Sequence, residues 1–345
     1  MKTAKFYQLN RIGGAEAFEI KELSIPQPKT GEVRIKVEAI GINRAESLYQ
    51  SGSYIYQPKI GSIPGYEAAG IIDAVGDDVE KFELGDRVST IPAFSMQEYG
   101  VYGEYAIVPA YAVSHYPENL TVEEAASIWM QYITAYGALI HYGNLKQGDY
   151  VLLTAATGGL GVAAIQIARM VGAISIATTR KESKRKFLES QNSDRIIVTD
   201  SEDLETKVME ITEGQGTDLI FDAVLGKQLI TLANIAKPGS SIIAYGALDP
   251  DALTTTIYPF QAAIGKGLDI RGYTLFELTY SPVRFSQTQP YDSVAYTEAI
   301  AFVKHGLETG QLKPIIDRVF PFEEMANAHR YLLDNQQQGK VVVRL

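Results

Sequence analysis

The segment Tyr150-Val-Leu-Leu-Thr-Ala-Ala-Thr-Gly-Gly-Leu-Gly161 constrains the fold more than any other part of the chain. It reads as a short buried strand, a glycine-rich turn and an apolar helix running to about Val171. A dinucleotide pyrophosphate needs this order. It requires a tight turn, a backbone clear of side chains, and a helix N-terminus whose free N–H groups face the anion. The spacing Ala156-x-Gly158-x-x-Gly161 replaces the first glycine of the usual G-x-G-x-x-G pattern. Such turns also arise for purely structural reasons, so the surrounding chain decides.

From about Tyr150 onward, apolar runs recur at nearly constant spacing, at 150–154, 174–178, 195–199, 218–224, 240–246 and 268–275. They are rich in Ile, Val and Leu on both faces, as parallel strands covered by helices should be. Helix-length segments lie between them, at 159–171, 181–190, 203–212 and 227–237. In the first of these only Gln166 and Arg169 are clearly polar, which predicts a buried helix. Strands alternating with helices in this way make a doubly wound, mostly parallel sheet.

The first 115 or so residues read differently. Candidate strands at 18–25, 32–42, 66–75, 87–91 and 105–108 surround a single helical segment, 44–50, and the N-terminus itself alternates like a strand. After the sixth apolar run, helices are predicted at 292–307 and 322–333, and a final strand at 340–345. This tail does not extend the repeat, so it is expected to return to the first domain. The expected fold is therefore α/β. Residues 1–122 and 277–345 form one mainly β domain, and residues 123–276 form the nucleotide-binding domain.

Composition narrows the partners. The net charge of −10 argues against nucleic acid or an anionic membrane, because phosphate contacts need a basic face. No apolar stretch approaches the roughly 20 residues that span a bilayer, and the N-terminus lacks a signal-peptide run. A cytoplasmic protein is expected. The absence of cysteine removes disulfides, thiol nucleophiles and thiolate metal sites together.

Several short motifs, weak singly, are specific in their order. They are Gly41-Ile-Asn-Arg-Ala-Glu46, Pro64-Gly-Tyr-Glu-Ala-Ala-Gly70 with Val75-Gly76, Gly85-Asp-Arg-Val88 and Gly103-Glu-Tyr105, followed by Thr134-Ala-Tyr136, the glycine turn and Gly339-Lys-Val-Val342. With them the chain resembles the medium-chain dehydrogenase/reductase superfamily, in its zinc-free quinone oxidoreductase, zeta-crystallin-like branch. The resemblance covers nearly the whole chain. It implies a GroES-like β domain beside a Rossmann domain, with substrate in a cleft between them, and a homodimer joined near 240–247 or 268–275.

The resemblance also frames the metal question. Its alcohol-dehydrogenase members hold zinc with Cys, His and Cys, near a Glu. The matching positions here are Asn43, Tyr66 and Met130, with Glu67 retained. Amide, phenol and thioether are not normal zinc ligands. The segment 92–103, which matches a four-cysteine lobe, holds no cysteine, and the four histidines lack ligand spacing. No metal is expected. Without a Lewis acid the expected chemistry is hydride delivery to an acceptor that is already electrophilic.

A site selective for NAD places an acid at the end of the second strand, about 20 residues past the glycine turn. Here that strand ends Ala177-Thr-Thr-Arg180. Arg180 and Lys184, within the basic run 180–186, fall where a 2′-phosphate would sit, and Thr178 and Thr179 leave it room. NADPH is the expected cofactor, although a Tyr common after the third strand in this branch is matched by Thr199. The cofactor would be held by Ala156, Thr157, Gly158, Gly159, Leu160, Gly161, Thr178, Thr179, Arg180 and Lys184, and by Tyr245, Gly246 and Ala247.

The resemblance implies catalytic roles for Asn43, Tyr54 and Thr134, with Tyr66 and Met130 lining the substrate cleft. Asn43 suits polar contact with nicotinamide or a substrate carbonyl, and suits equally the N-cap of the helix that follows it. Tyr54 matches a proton-donating Tyr of related enoyl-thioester reductases, and water is the other candidate donor. Thr134 could satisfy the carboxamide or bond its own helix backbone. Glu67 is expected to be a buried carboxylate with a basic partner. The expected function is NADPH-dependent, zinc-independent reduction of quinones or similar activated carbonyl acceptors. The alternatives are an enoyl-thioester or 2-alkenal reductase and, in another class, a non-enzymatic NADPH-binding structural or sensor protein.

Overall fold

A computed structural model describes residues 2–279 and 293–345. The chain divides into two compact units. One comprises Met1–Gln131, Phe276–Thr297 and Pro314–Leu345; the other comprises Tyr132–Leu275 and Glu298–Lys313. The sequence places prolines and several aromatics at 276–291, a segment expected to shape the pocket, and from position 280 onward it lies outside the described residues.

The second unit is built on six parallel strands, Tyr150–Leu153, Ile174–Thr179, Arg195–Val198, Thr217–Asp222, Ala236–Ala244 and Asp269–Gly272. In space they run third, second, first, fourth, fifth, sixth. Register lines up the apolar side chains of this sheet. Ile176 lies opposite Leu152, Leu152 opposite Ile220, Ile220 opposite Ile242, and Ile242 opposite Ile270. This row crosses five strands and packs with Val208, Leu229 and Leu232 from the covering helices. The helix Gly159–Val171 buries every residue from Gly161 to Ala168, and Gly172 closes it in the left-handed conformation at φ 79°. Only glycine adopts that conformation at little cost.

The expected and observed elements differ where periodicity fails. The bounds of the helix Trp129–Tyr136 escaped the sequence reading because it is buried on nearly every side, the polar Gln131 and Thr134 included. A buried helix carries no polar stripe to reveal it. Two short helices, Ala252–Thr255 and Phe260–Lys266, also went unread, and the sixth strand is half its expected length.

The first unit centres on the strand Glu32–Ile42. It pairs antiparallel with Glu67–Val75, Tyr105–Pro109 and the C-terminal strand Lys340–Arg344. The returning tail thus adds its last strand to this sheet. Val341 lies opposite Ile42 and Glu67 opposite Gly41, which brings Lys340 and Glu67 to the same end of the central strand. The domain limits 122/123 and 276/277 we retain as a proposal. Among the described residues no helix is long and apolar enough to cross a membrane.

His329, on the helix Met325–Leu333, is fully buried in the first unit. Its Nδ1 lies 2.9 Å from Ser47 Oγ and its Nε2 3.1 Å from the Tyr102 hydroxyl. Burial pushes its pKa down from 6.5 to about 3, so the folded protein holds it neutral. The unfolded chain takes up this proton below about pH 6.5 and the folded chain does not, so the stability contributed by neutral His329 is lost as pH falls from 6.5 towards 3. Between pH 7 and pH 5 wild type should lose about 2 kcal/mol more than His329→Gln. Urea denaturation of both proteins at the two pH values checks this, and parallel losses would exclude it.

Candidate active site

The expected catalytic and substrate-side residues of the first unit are joined through two buried carboxylates. Asn43 is the N-cap of the helix Arg44–Ser51. Its backbone N–H donates to Glu46 Oε2 at 2.8 Å, while Glu46 Oε1 accepts from Tyr66 N–H at 3.2 Å. Glu67 Oε1 accepts from Met130 N–H at 2.9 Å. Two acids therefore hold the backbone at Asn43, Tyr66 and Met130.

The basic partner of Glu67 is Lys340. Its ammonium donates to Glu67 Oε2 at 2.7 Å and to Asn43 Oδ1 at 2.6 Å, and the Asn43 amide nitrogen donates to Glu67 Oε2 at 3.1 Å. The side chains of Lys340 and Glu67 are 5% and 1% exposed, so each would be an expensive lone charge. Burial pushes the Glu46 carboxyl up to about 7, with Lys340 opposing and Glu67 reinforcing the shift. Below that pH Glu46 keeps its proton, and the ammonium of Lys340 balances a single carboxylate. Sequence reasoning missed Lys340. The available signal was a lysine opening the otherwise apolar run Val341-Val-Val343, where burial demands a countercharge.

Beside this cluster stand three phenols. Tyr66 is fully buried against Phe94 and Phe276, with ring centroids 5.6 Å away in each case. Its hydroxyl lies 2.6 Å from that of Tyr56 and accepts from that of Tyr54 at 3.4 Å. Tyr54 is half-buried, and desolvation raises the pKa of both Tyr54 and Tyr66 well above the ordinary phenol value.

In the second unit, the expected cofactor residues gather at the C-terminal end of the parallel sheet. They flank the point where strand order reverses between Tyr150–Leu153 and Thr217–Asp222. Ala156 N–H donates to Thr178 O at 3.0 Å, which ties the glycine turn to the second strand. The two retained glycines serve opposite ends. A Cβ on Gly161 would lie 2.4 Å from the Ala156 backbone, so glycine lets helix and strand close up. A Cβ on Gly158 would meet nothing within 4 Å, so that face of the turn is open. Behind the turn, Asp222 accepts from Thr154 Oγ1 at 2.7 Å and from Leu225 N–H at 2.8 Å. Its buried carboxyl is shifted upward by desolvation, against the pull of those bonds. Sequence reading passed over Asp222, although an acid ending the apolar run Leu219-Ile-Phe-Asp222 was visible.

Around this end, Thr178 and Thr179 are buried, Arg180 is exposed, and Lys184 Nζ lies 3.5 Å from Thr157 Oγ1. The Arg180 side chain has no partner among the described residues, whereas neighbouring Arg185 pairs with Glu182 and Glu202. Tyr245 stacks on Phe221 at 3.9 Å and donates its N–H to Asp222 O at 2.9 Å; Gly246 and Ala247 follow it. Leu160 and Gly159 lie in the first turn of the helix, where backbone N–H groups lack intrahelical acceptors. Thr134 is buried on the helix Trp129–Tyr136.

Comparison with known proteins agrees with this architecture. Residues 29–118 match a family described as alcohol dehydrogenase GroES-like domain, and residues 192–343 match one described as zinc-binding dehydrogenase. The chain is 31% identical to human quinone oxidoreductase over 346 residues, covering 100% of this chain and 98% of that protein. Among solved structures, an NAD-dependent alcohol dehydrogenase is similar with TM-score 0.84 and 26% identity, over 99% of both chains. A mycobacterial protein complexed with NADPH has TM-score 0.85 and 23% identity, over 99% of this chain and 100% of that one.

The zinc in the second family description does not fit the residues present. Asn43, Tyr66 and Met130 offer an amide, a phenol and a thioether, and Glu67 is already bound by an ammonium. Among the described residues, no three His, Cys, Asp or Glu side chains converge as ligands.

The buried pair sets up a stability test. Lys340→Met alone should cost about 3–5 kcal/mol, because Glu67 is left buried without a countercharge. Glu67→Gln combined with Lys340→Met should recover most of that loss. Denaturant midpoints of the single and double variants decide it, and additive losses would refute the pairing.

Proposed function

The chain belongs to the medium-chain dehydrogenase/reductase superfamily, in its quinone oxidoreductase branch, and from that premise we propose that this oxidoreductase is an NADPH-dependent, zinc-independent reductase of quinones or similar activated carbonyl acceptors. The observation that carries the cofactor reading is the composition of the sheet end beside the glycine turn. Gly158 leaves the backbone open, and the second strand ends in two threonines followed by Arg180, which has no partner among the described residues. An acid there would hold two ribose hydroxyls, whereas a cation there suits a 2′-phosphate. The NADPH-complexed structural relative is consistent with the same cofactor.

When bound, the reduced nicotinamide supplies the hydride. Residues 156–161 would hold the pyrophosphate, Arg180 and Lys184 the 2′-phosphate, and Tyr245–Ala247 with Thr134 the nicotinamide side. Tyr54, half-buried with a single phenol partner, is assigned to protonate the reduced acceptor. Both ends of the Asn43 amide are engaged by Lys340 and Glu67, so its role is to fix the wall of the site while sharing a bond with ligand. Met130 and Tyr66 line that wall.

We further assign a homodimer to the surface of the second unit. Ile257, Tyr258, Phe260 and Ile264 are each more than half exposed, and they precede the edge strand Asp269–Gly272. Exposed apolar side chains of this size are costly in water.

The cofactor assignment predicts that Arg180→Ala/Lys184→Ala raises the Kd for NADPH by about tenfold or more and that for NADH by less than about twofold. Fluorescence titration with both nucleotides reads this, and equal losses would discard NADPH selectivity. Quinone and 2-alkenal reduction by wild type then ranks the acceptors; tight NADPH binding with no turnover on either would favour a binding protein. For the dimer, light scattering should show monomers for Phe260→Asp/Ile264→Asp, and an unchanged mass would reject that face.

A further inference from the structure

The three phenols beside Glu46 form a cluster in which the two outer hydroxyls both meet that of Tyr66. Met96 N–H lies 2.9 Å from the Tyr56 hydroxyl. A backbone N–H can only donate, so Tyr56 Oη accepts there and its own proton is free for Tyr66, 2.6 Å away. Tyr66 Oη in turn accepts from Tyr54 at 3.4 Å, and Tyr66 is the sole partner of the Tyr54 hydroxyl among the described residues. The Tyr54 and Tyr56 rings meet edge-on with centroids 5.0 Å apart, and Tyr66 is wedged by Phe94 and Phe276, so the hydroxyls are placed by packing. Tyr66 is fully buried, and Tyr54 and Tyr56 are each half-buried.

We infer that Tyr56 and Tyr66 are positioning residues that prepare Tyr54 to give up its proton. The inference rests on the proposed reductase reading. The bound nicotinamide would supply a hydride to the acceptor, leaving it an anion. The Tyr54 O–H bond breaks, its proton forms the new bond on that anion, and the electron pair stays on Tyr54 Oη. The contact with Tyr66 then reverses: Tyr66, already supported by the Tyr56 proton, donates its own hydrogen to the phenolate. Water returns the proton to Tyr54 afterwards. Desolvation raises the pKa of both phenols, so an unsupported Tyr54 phenolate would be costly, and a donor behind it is what the step lacks. The 3.4 Å contact is long at rest, and such bonds shorten when charge develops.

Phenylalanine variants test this, because they keep each ring and remove one oxygen. Tyr66→Phe should melt close to wild type, lose about tenfold in kcat, leave KM within about twofold, and show an enlarged solvent deuterium isotope effect. Tyr56→Phe should do the same more weakly. In the nucleotide-free protein, labelled with carbon-13 at tyrosine Cζ, the resonance absent from Tyr54→Phe should shift in Tyr66→Phe. A Tyr66→Phe enzyme with wild-type kcat and isotope effect, beside a Tyr54→Phe enzyme that has lost turnover, would overturn the inference and leave the reductase reading standing. Wild-type turnover in Tyr54→Phe would overturn Tyr54 as donor and the support behind it together.

Discussion

The buried contact between Lys340 and Glu67 is the interaction on which the first unit's candidate site depends. The two residues are far apart in the sequence, yet the site would be unstable without either. Glu67 holds Met130 through the backbone, Lys340 holds Asn43 through the side chain, and Glu46 joins Asn43 to Tyr66. Removing both charges from water is affordable only because each carboxylate oxygen and the ammonium find further hydrogen bonds. The cation that stabilises Glu67 is a side chain of the protein's own last strand, and it reaches the carboxylate because that strand pairs with Glu32–Ile42.

The second unit depends on a different constraint. Its apolar row from Ile176 to Ile270 fixes the register of five strands, so the loops at their C-terminal ends emerge at set positions. Gly161 then lets the first helix approach the strand end, and Asp222 pins the adjacent loop through Thr154 and Leu225. What remains free is the open face at Gly158 and the cationic edge at Arg180. Packing makes the scaffold, and the groups that packing leaves unused carry the proposed binding.

Much of this was legible in the chain. The six apolar runs, the helix 159–171 and the strand 32–42 follow from local pattern, because burial on two faces or one stripe writes itself into residue order, whereas the substitutions at the zinc positions are read through the family resemblance. The bounds of the helix Trp129–Tyr136 left no such trace, since a helix buried on nearly every side has little periodic contrast. Tyr56 was invisible for another reason. In a chain with 21 tyrosines nothing local separates a packed phenol from one whose hydroxyl meets another.

The sequence by itself determined the architecture of the parallel sheet, the place of the glycine turn, the basic edge beside it and a donor set at Asn43, Tyr66 and Met130 unsuited to zinc. The first three are properties of residue type and short-range spacing, set by backbone geometry; the donor set is what the family resemblance implies, judged by which atoms can bind zinc. Only the tertiary structure decided that Lys340 is the partner of Glu67, that the Asn43 amide is occupied, and that the Tyr54 hydroxyl meets that of Tyr66. Each of those depends on strand register and on distances between residues remote in the sequence, and a buried charge or hydroxyl chooses its partner by proximity that no local pattern encodes.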